Sequence, residues 1–243
     1  MADFSGLTTL ITGAAGGIGV EMAKAFAAAG ARLVLVDVVD ATELANKLGG
    51  SHRAYSLDLQ NPRAIADLVP ALGKESGIDV LINNAGLGVV APAEKQSVEE
   101  WDRTQAINLR APWLMAVAAL PYLKRSGRGR IINIASQAAI VAIAEHAAYA
   151  ASKAGLVGLT KVLALEWAQY GITVNAISPT VVETPMAMVG WSGEKGEKAR
   201  KEIPVGRFAQ PGEIASAAVY LASKEAGIIT GENLIMDGGY TIR

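Results

Sequence analysis

Cysteine is absent from this chain of 243 residues, and histidine occurs only as His52 and His146. The first absence excludes disulfides, thiol catalysis and thiolate metal centres. The second leaves too few imidazoles for a His-rich site, so no metal is expected. An excess of either charge is also lacking. Lys and Arg total 22, Asp and Glu total 23, and the net charge is −1. That balance gives no electrostatic footing for nucleic acid or an anionic membrane. No apolar run reaches the roughly 18 residues that a membrane span needs. The stretch Met1 to Ser5 lacks the basic and apolar regions of a secretory leader. These absences together predict a cytoplasmic protein with neither a nucleic-acid nor a membrane partner.

Apolar residues are plentiful, at 51% of the chain, enough to bury a sizeable core. Short apolar runs at 7–12, 32–37, 54–58, 79–83, 130–135, 172–177 and 233–236 alternate with helical patterns. No linker, repeat or low-complexity segment divides them. The alternation predicts an α/β architecture: a single-domain Rossmann fold over residues 1–243, whose doubly wound parallel sheet has about seven strands and helices on both faces. The helical stretches Ala148 to Ala168 and Ala111 to Leu123 are apolar or small on nearly every side. One face must cover the sheet, and the other would be a large exposed patch unless a second subunit covers it.

Three local patterns carry chemistry. The run Thr12-Gly13-Ala14-Ala15-Gly16-Gly17-Ile18-Gly19 lies between a predicted strand and an amphipathic helix. Glycines there let backbone approach a pyrophosphate, and the helix N-terminus offers N–H donors and partial positive charge. Asp37 closes the next strand, eighteen residues after Gly19. A carboxylate there accepts from adenosine ribose hydroxyls and repels a 2′-phosphate. Its neighbours Val38 and Val39 are not basic, and position 16 is Gly, so the expected cofactor is NAD. Finally, Tyr149 and Lys153 are four residues apart on a predicted helix, with Ser136 thirteen residues before the tyrosine at a strand end. An ammonium beside a phenol favours the phenolate, which predicts a lowered tyrosine pKa and an acid/base for an alcohol. A packing tyrosine beside a solvated lysine has the same spacing, so this pattern gains weight only from its neighbours.

Jointly, Thr12 to Gly19, Asn83-Asn84-Ala85-Gly86, Asn108, Ser136 and Tyr149 to Lys153 resemble the motif set of the short-chain dehydrogenase/reductase family, from about Leu7 to Gly239. The resemblance implies a catalytic tetrad of Asn108, Ser136, Tyr149 and Lys153. It implies that Gly13, Gly17, Ile18 and Gly19 hold the pyrophosphate, and that Asp58 meets the adenine amine. Asn84, with Gly86 beside it, is expected at the adenosine ribose, and Lys153 with Tyr149 at the nicotinamide ribose. Val182 and Thr184, after Pro179, are expected at the carboxamide.

The segments Pro179 to Met186, Trp191-Ser192 and Ile203 to Ala209, with Ser136-Gln137 and His146, are similar to the branch of L-xylulose reductases and NAD-dependent polyol dehydrogenases such as D-threitol dehydrogenase. The reductases carry a lysine where this chain has Gly16 and an arginine just after the second strand. The departure favours NAD and oxidation of a small polyol or sugar alcohol. Ser136, Gln137, His146, Tyr149 and Trp191 are the expected substrate contacts. His146 reads equally as a structural histidine, and Trp191 as a packing residue under a lid at about 180–206. A homotetramer is the assembly that the resemblance implies. The competing functions are a 3-oxoacyl-thioester reductase and a catalytically silent dinucleotide sensor.

Overall fold

A computed structural model describes residues 2–243 apart from the Met186 side chain; Met1, which opens the stretch read above for a leader, lies outside the described residues. Among the described residues seven strands form one sheet: β1 (Thr8–Thr12), β2 (Arg32–Asp37), β3 (Arg53–Ser56), β4 (Val80–Asn83), β5 (Arg130–Ile134), β6 (Thr173–Pro179) and β7 (Asn233–Met236). Their order is β3-β2-β1-β4-β5-β6-β7, and every pairing is parallel. The order reverses between β1 and β4, where Thr9 pairs with Val80. An open α/β sheet leaves a crevice beyond the strand C-termini at such a reversal.

The helices are α1 (Gly17–Ala28), α2 (Thr42–Leu48), α3 (Pro62–Ser76), α4 (Val98–Gln105), α5 (Ala111–Ser126), α6 (Ala147–Trp167), α7 (Pro185–Gly190), α8 (Gly193–Glu202) and α9 (Pro211–Ala222). Strand side chains alternate between two apolar layers. Ile11, Leu33, Leu35 and Ile82 pack with Met22 and Phe26 of α1 and Ile214 and Ala218 of α9. Leu10, Val34, Val36 and Leu81 pack with Ile65 and Val69 of α3, Met115 and Ala119 of α5, and Leu163 of α6. This is the doubly wound α/β fold expected from the sequence.

Strand ends differ from expectation by a few residues. β3 stops at Ser56 because Leu57 keeps only one bond to its neighbour, its N–H donating to the Asp37 carbonyl. β6 runs on to Pro179 because β7 pairs with it as far as Met236. Among the described residues no helix is long and apolar enough to cross a membrane.

Candidate active site

Two cavities share the crevice. One, of about 610 Å³, is lined by Gly13 and Ala15 to Ile18, by Asp37 to Val39, by Leu57 to Gln60, and by Arg103 and Ile107. The other, of about 320 Å³, is lined by Ser136, Gln137, His146, Tyr149, Lys153, Pro179 to Val182 and Trp191. Ile18, Asn84, Gly86, Leu87 and Thr184 line both. Every predicted site residue except Gly19 and Asn108 therefore faces one cavity or the other.

The turn after β1 is shaped by close approach. Gly13 sits at φ +64°, and a Cβ there would lie 2.7 Å from the Ala85 Cα. A Cβ at Gly17 would lie 2.7 Å from the Thr184 Cγ2, and one at Gly19 would run into the Gly13 carbonyl oxygen. Gly16 is different: a side chain there meets only the Gly13 oxygen, at 3.5 Å. Asn84 holds the turn from β4, its amide donating to the carbonyls of Thr12 (3.0 Å) and Gly13 (2.9 Å). Its N–H donors are thus committed inside the protein. Asp37 is held from both sides: Oδ2 accepts from the Ala15 N–H (2.9 Å) and Oδ1 from the Val39 N–H (3.1 Å). Asp58 Oδ1 accepts from the Gln60 N–H at 2.9 Å. Thr184 accepts from the Ala187 N–H at 3.2 Å and so caps α7, while a lone bridge pairs Val182 with Ala209.

Asn108 is fully buried in a π-helical turn, 106–110, that joins α4 to α5. Such a turn takes one carbonyl out of the regular ladder and is frequent at functional sites. Its amide donates to the Leu87 carbonyl (2.8 Å) and to Ser152 Oγ (3.0 Å), and its Oδ1 accepts from the Leu87 N–H (2.8 Å). Ser152 in turn donates to the Tyr149 carbonyl at 2.7 Å. Asn108 thereby fixes the loop after β4 against the helix that carries Tyr149 and Lys153.

Tyr149 and Lys153 lie one turn apart on α6. The Lys153 ammonium donates to the Ile134 carbonyl at 2.7 Å and stands 5.6 Å from the centre of the Tyr149 ring. Enclosure pushes the Tyr149 phenol up from its ordinary value, and a hydrogen bond with Ser136 pulls against it. Burial pushes Lys153 down to about 8. The expected lowering of the phenol by the lysine is not met in this arrangement. Desolvation leads on both groups, and the ammonium is turned toward a carbonyl. Ser136 also accepts from the Ala138 N–H at 3.1 Å, which fixes its rotamer at the end of β5.

His146 Nδ1 contacts the Ala144 carbonyl at 2.6 Å, and its ring meets the Tyr149 ring edge-on with 6.0 Å between centroids. Gln137 is buried, and among the described residues its Oε1 has no hydrogen-bond partner. Trp191 packs edge-on against buried Phe208, 6.3 Å between centroids, with the Lys195 ammonium 5.0 Å from its ring. Sequence reasoning missed Thr180, a buried cavity-lining side chain whose Oγ1 is also unpartnered. Its place just beyond β6 was the available signal. It also missed the chain Asn83 Nδ2 to Asn133 Oδ1 (2.8 Å) to Thr160 (2.9 Å), which ties β4, β5 and α6 together below the site. No local pattern announces that chain.

Comparison with known proteins places this geometry. A family profile described as enoyl-(acyl carrier protein) reductase matches residues 13–241. The chain is 48% identical to a D-threitol dehydrogenase of Mycolicibacterium smegmatis, covering 98% of this chain and 94% of that protein. It is 44% identical to an NAD-dependent glycerol dehydrogenase of Listeria innocua, covering 96% and 93%. A solved structure from Beutenbergia cavernae, assigned as an NAD(P)-dependent gluconate 5-dehydrogenase and carrying NADP at low occupancy, superposes with a TM-score of 0.95 at 36% identity over 99% of both chains. With its glycine-lined crevice at the sheet's reversal and dehydrogenase relatives along its whole length, the chain belongs to the short-chain dehydrogenase/reductase family and is an alcohol-acting oxidoreductase that uses a nicotinamide cofactor.

Proposed function

We propose that the chain oxidises a small, uncharged polyol or sugar alcohol to a ketose with NAD. The observation that carries this reading is the lining of the smaller cavity: it places hydroxyl, amide and imidazole groups around Tyr149, and Lys153 is its one lysine or arginine. Lys153 already serves the Ile134 carbonyl. A carboxylate substrate would lack a counter-ion there and would be costly to desolvate. A polyol needs only hydrogen bonds. The names of the threitol and glycerol dehydrogenases agree with that selection.

The larger cavity fits a dinucleotide. Backbone at Gly13, Gly17 and Gly19 leaves no room for side chains, so the space over the α1 N-terminus stays open to a pyrophosphate. Asp58 would meet the adenine and Asp37 the ribose, and Val182 and Thr184 would hold the carboxamide after Pro179. Asp37 favours NAD, because its fixed carboxylate repels a 2′-phosphate. Arg103 lines the same cavity and the Beutenbergia relative carries NADP, so the discrimination rests on Asp37 outweighing that cation.

When bound, the nicotinamide supplies the hydride acceptor. Ser136 holds the reacting hydroxyl, and Tyr149 takes its proton. Lys153 would hold the nicotinamide ribose and, once turned from the Ile134 carbonyl toward the phenol, would favour the phenolate. Asn108 keeps the loop after β4 fixed against the helix that carries Tyr149 and Lys153. Gln137 and His146 accept from or donate to neighbouring substrate hydroxyls, and Trp191 walls the pocket beneath a lid formed by α7 and α8. Adding NAD or NADP with a panel of polyols, gluconate and a 3-hydroxyacyl thioester, and following reduced cofactor by absorbance, tests the reading. Turnover is expected with NAD and a polyol. Faster turnover of gluconate, a preference for the thioester with NADP, or cofactor binding without turnover would replace it.

A further inference from the structure

Gln96 lies in the loop between β4 and α4, outside the lining of either cavity. Its amide nevertheless joins three backbone positions around the substrate cavity. Oε1 accepts from the Ala148 N–H at 3.2 Å, and Nε2 donates to the carbonyls of Ala91 (3.3 Å) and Glu145 (3.4 Å). The Ala91 N–H reaches the same Glu145 carbonyl at 3.0 Å. Glu145 is the one non-glycine residue in the left-handed region among the described residues, at φ 67°. An L-residue holds that conformation only where its surroundings impose it.

The helix that follows begins without help of its own. His146 is the N-cap of α6, and its side chain makes no capping bond. The first N–H groups of a helix need acceptors. Ala148 takes its acceptor from Gln96, a residue 52 positions earlier in the chain. The turn that is capped this way carries His146 and, three residues on, Tyr149.

We propose that Gln96 is a positioning residue for proton transfer: by capping α6 from outside and pinning the Glu145 carbonyl, it sets where the Tyr149 phenol and His146 ring point. This rests on Tyr149 being the proton acceptor. Gln96→Leu removes all three hydrogen bonds at similar volume. Gln96→Glu keeps the acceptor for Ala148, where a helix N-terminus also favours an anion, but loses both donors and sets its second oxygen against the Ala91 and Glu145 carbonyls.

The test compares these variants with the native enzyme by steady-state kinetics on threitol, NADH affinity by fluorescence titration, and amide exchange over residues 144–149. For Gln96→Leu we expect a fall in kcat of roughly tenfold, as misplaced catalytic groups give. NADH affinity should stay within about twofold and exchange at Ala148 should quicken; Gln96→Glu, with the cap kept and the Glu145 carbonyl unpinned, should restore slow exchange at Ala148 and only part of kcat. Native-like kcat in Gln96→Leu, or a loss of kcat matched by equal loss of NADH affinity, would overturn the proposal. If Gln96→Leu does not fold, Gln96→Asn, too short to span both loops, is judged by the same criteria. Tyr149→Phe measured alongside separates the two ideas. Full activity in that variant removes the assigned role of Tyr149, whereas the exchange data still report whether Gln96 orders the α6 start.

Discussion

At the residue scale, the site rests on two ionisable groups drawn out of water together. Tyr149→Phe removes the proton acceptor and keeps the ring. Polyol oxidation should drop by roughly 10²–10⁴-fold, the usual worth of general acid–base catalysis, with NADH affinity retained; titration and initial rates check both halves. Lys153 gives a sharper prediction. Its folded pKa of about 8 lies below the ordinary 10.5, so the unfolded chain holds this proton more tightly than the folded one. Stability is therefore reduced in full below pH 8, and the penalty fades as pH rises from 8 to 10.5. Lys153→Met should thus stabilise the fold at pH 7, by up to about 3 kcal/mol before the lost Ile134 bond is subtracted. The gain should shrink by pH 10 while activity is lost at both. Denaturant unfolding at the two pH values tests the sign. The native oxidation profile should rise with pH through an apparent pKa that belongs to the Tyr149–Lys153 pair and not to one residue alone.

The residues that sequence alone could name were those whose chemistry is tied to short spacing. Tyr149 with Lys153, the glycine run and Asp37 each sit within one element or turn. Thr180 and Gln96 were invisible for the opposite reason. Their importance comes from what distant segments bring beside them, and neither Thr nor Gln signals that by type. The raised Tyr149 phenol was misread because spacing reveals a neighbouring charge but not the loss of water around both partners.

At the element scale, the seven apolar runs were legible because parallel strands buried on both faces are short and continuous in the sequence. Their exact ends were not, since the neighbouring strand sets them. The π-turn at 106–110 left no trace in composition, yet it delivers Asn108 to Leu87 and Ser152. The turn before α1 is the most constrained element. Gly19→Ala would drive a methyl into the Gly13 carbonyl. A loss of about 1–3 kcal/mol is expected from overpacking, with a larger loss of NADH affinity because the Gly13 backbone must move. Gly16→Ala meets no such obstacle and should leave both unchanged within error. Thermal melts with and without NADH distinguish the two glycines.

At the scale of the molecule, apolar side chains remain uncovered on α5 and α6. Trp113 is 47%, Val117 45%, Val162 51% and Leu165 83% exposed. Trp167, in contrast, is core. We infer that this stripe meets its counterpart in a homotetramer. Sedimentation at micromolar concentration should show an assembly of the 25.2 kDa chain, and Leu165→Asp should shift it to smaller species. A native monomer would refute the assignment.

The contact of Gly17 with Thr184 bears on how the protein is made. These residues close the crevice from opposite thirds of the chain, and β1 finds its inner partner only when residues 80–82 arrive. A nascent polypeptide emerging from the ribosome N-terminus first can order its early strands. It cannot enclose a dinucleotide until the segment through Thr184 has followed. Full enclosure of the nicotinamide cofactor is then reserved for chains that are nearly complete.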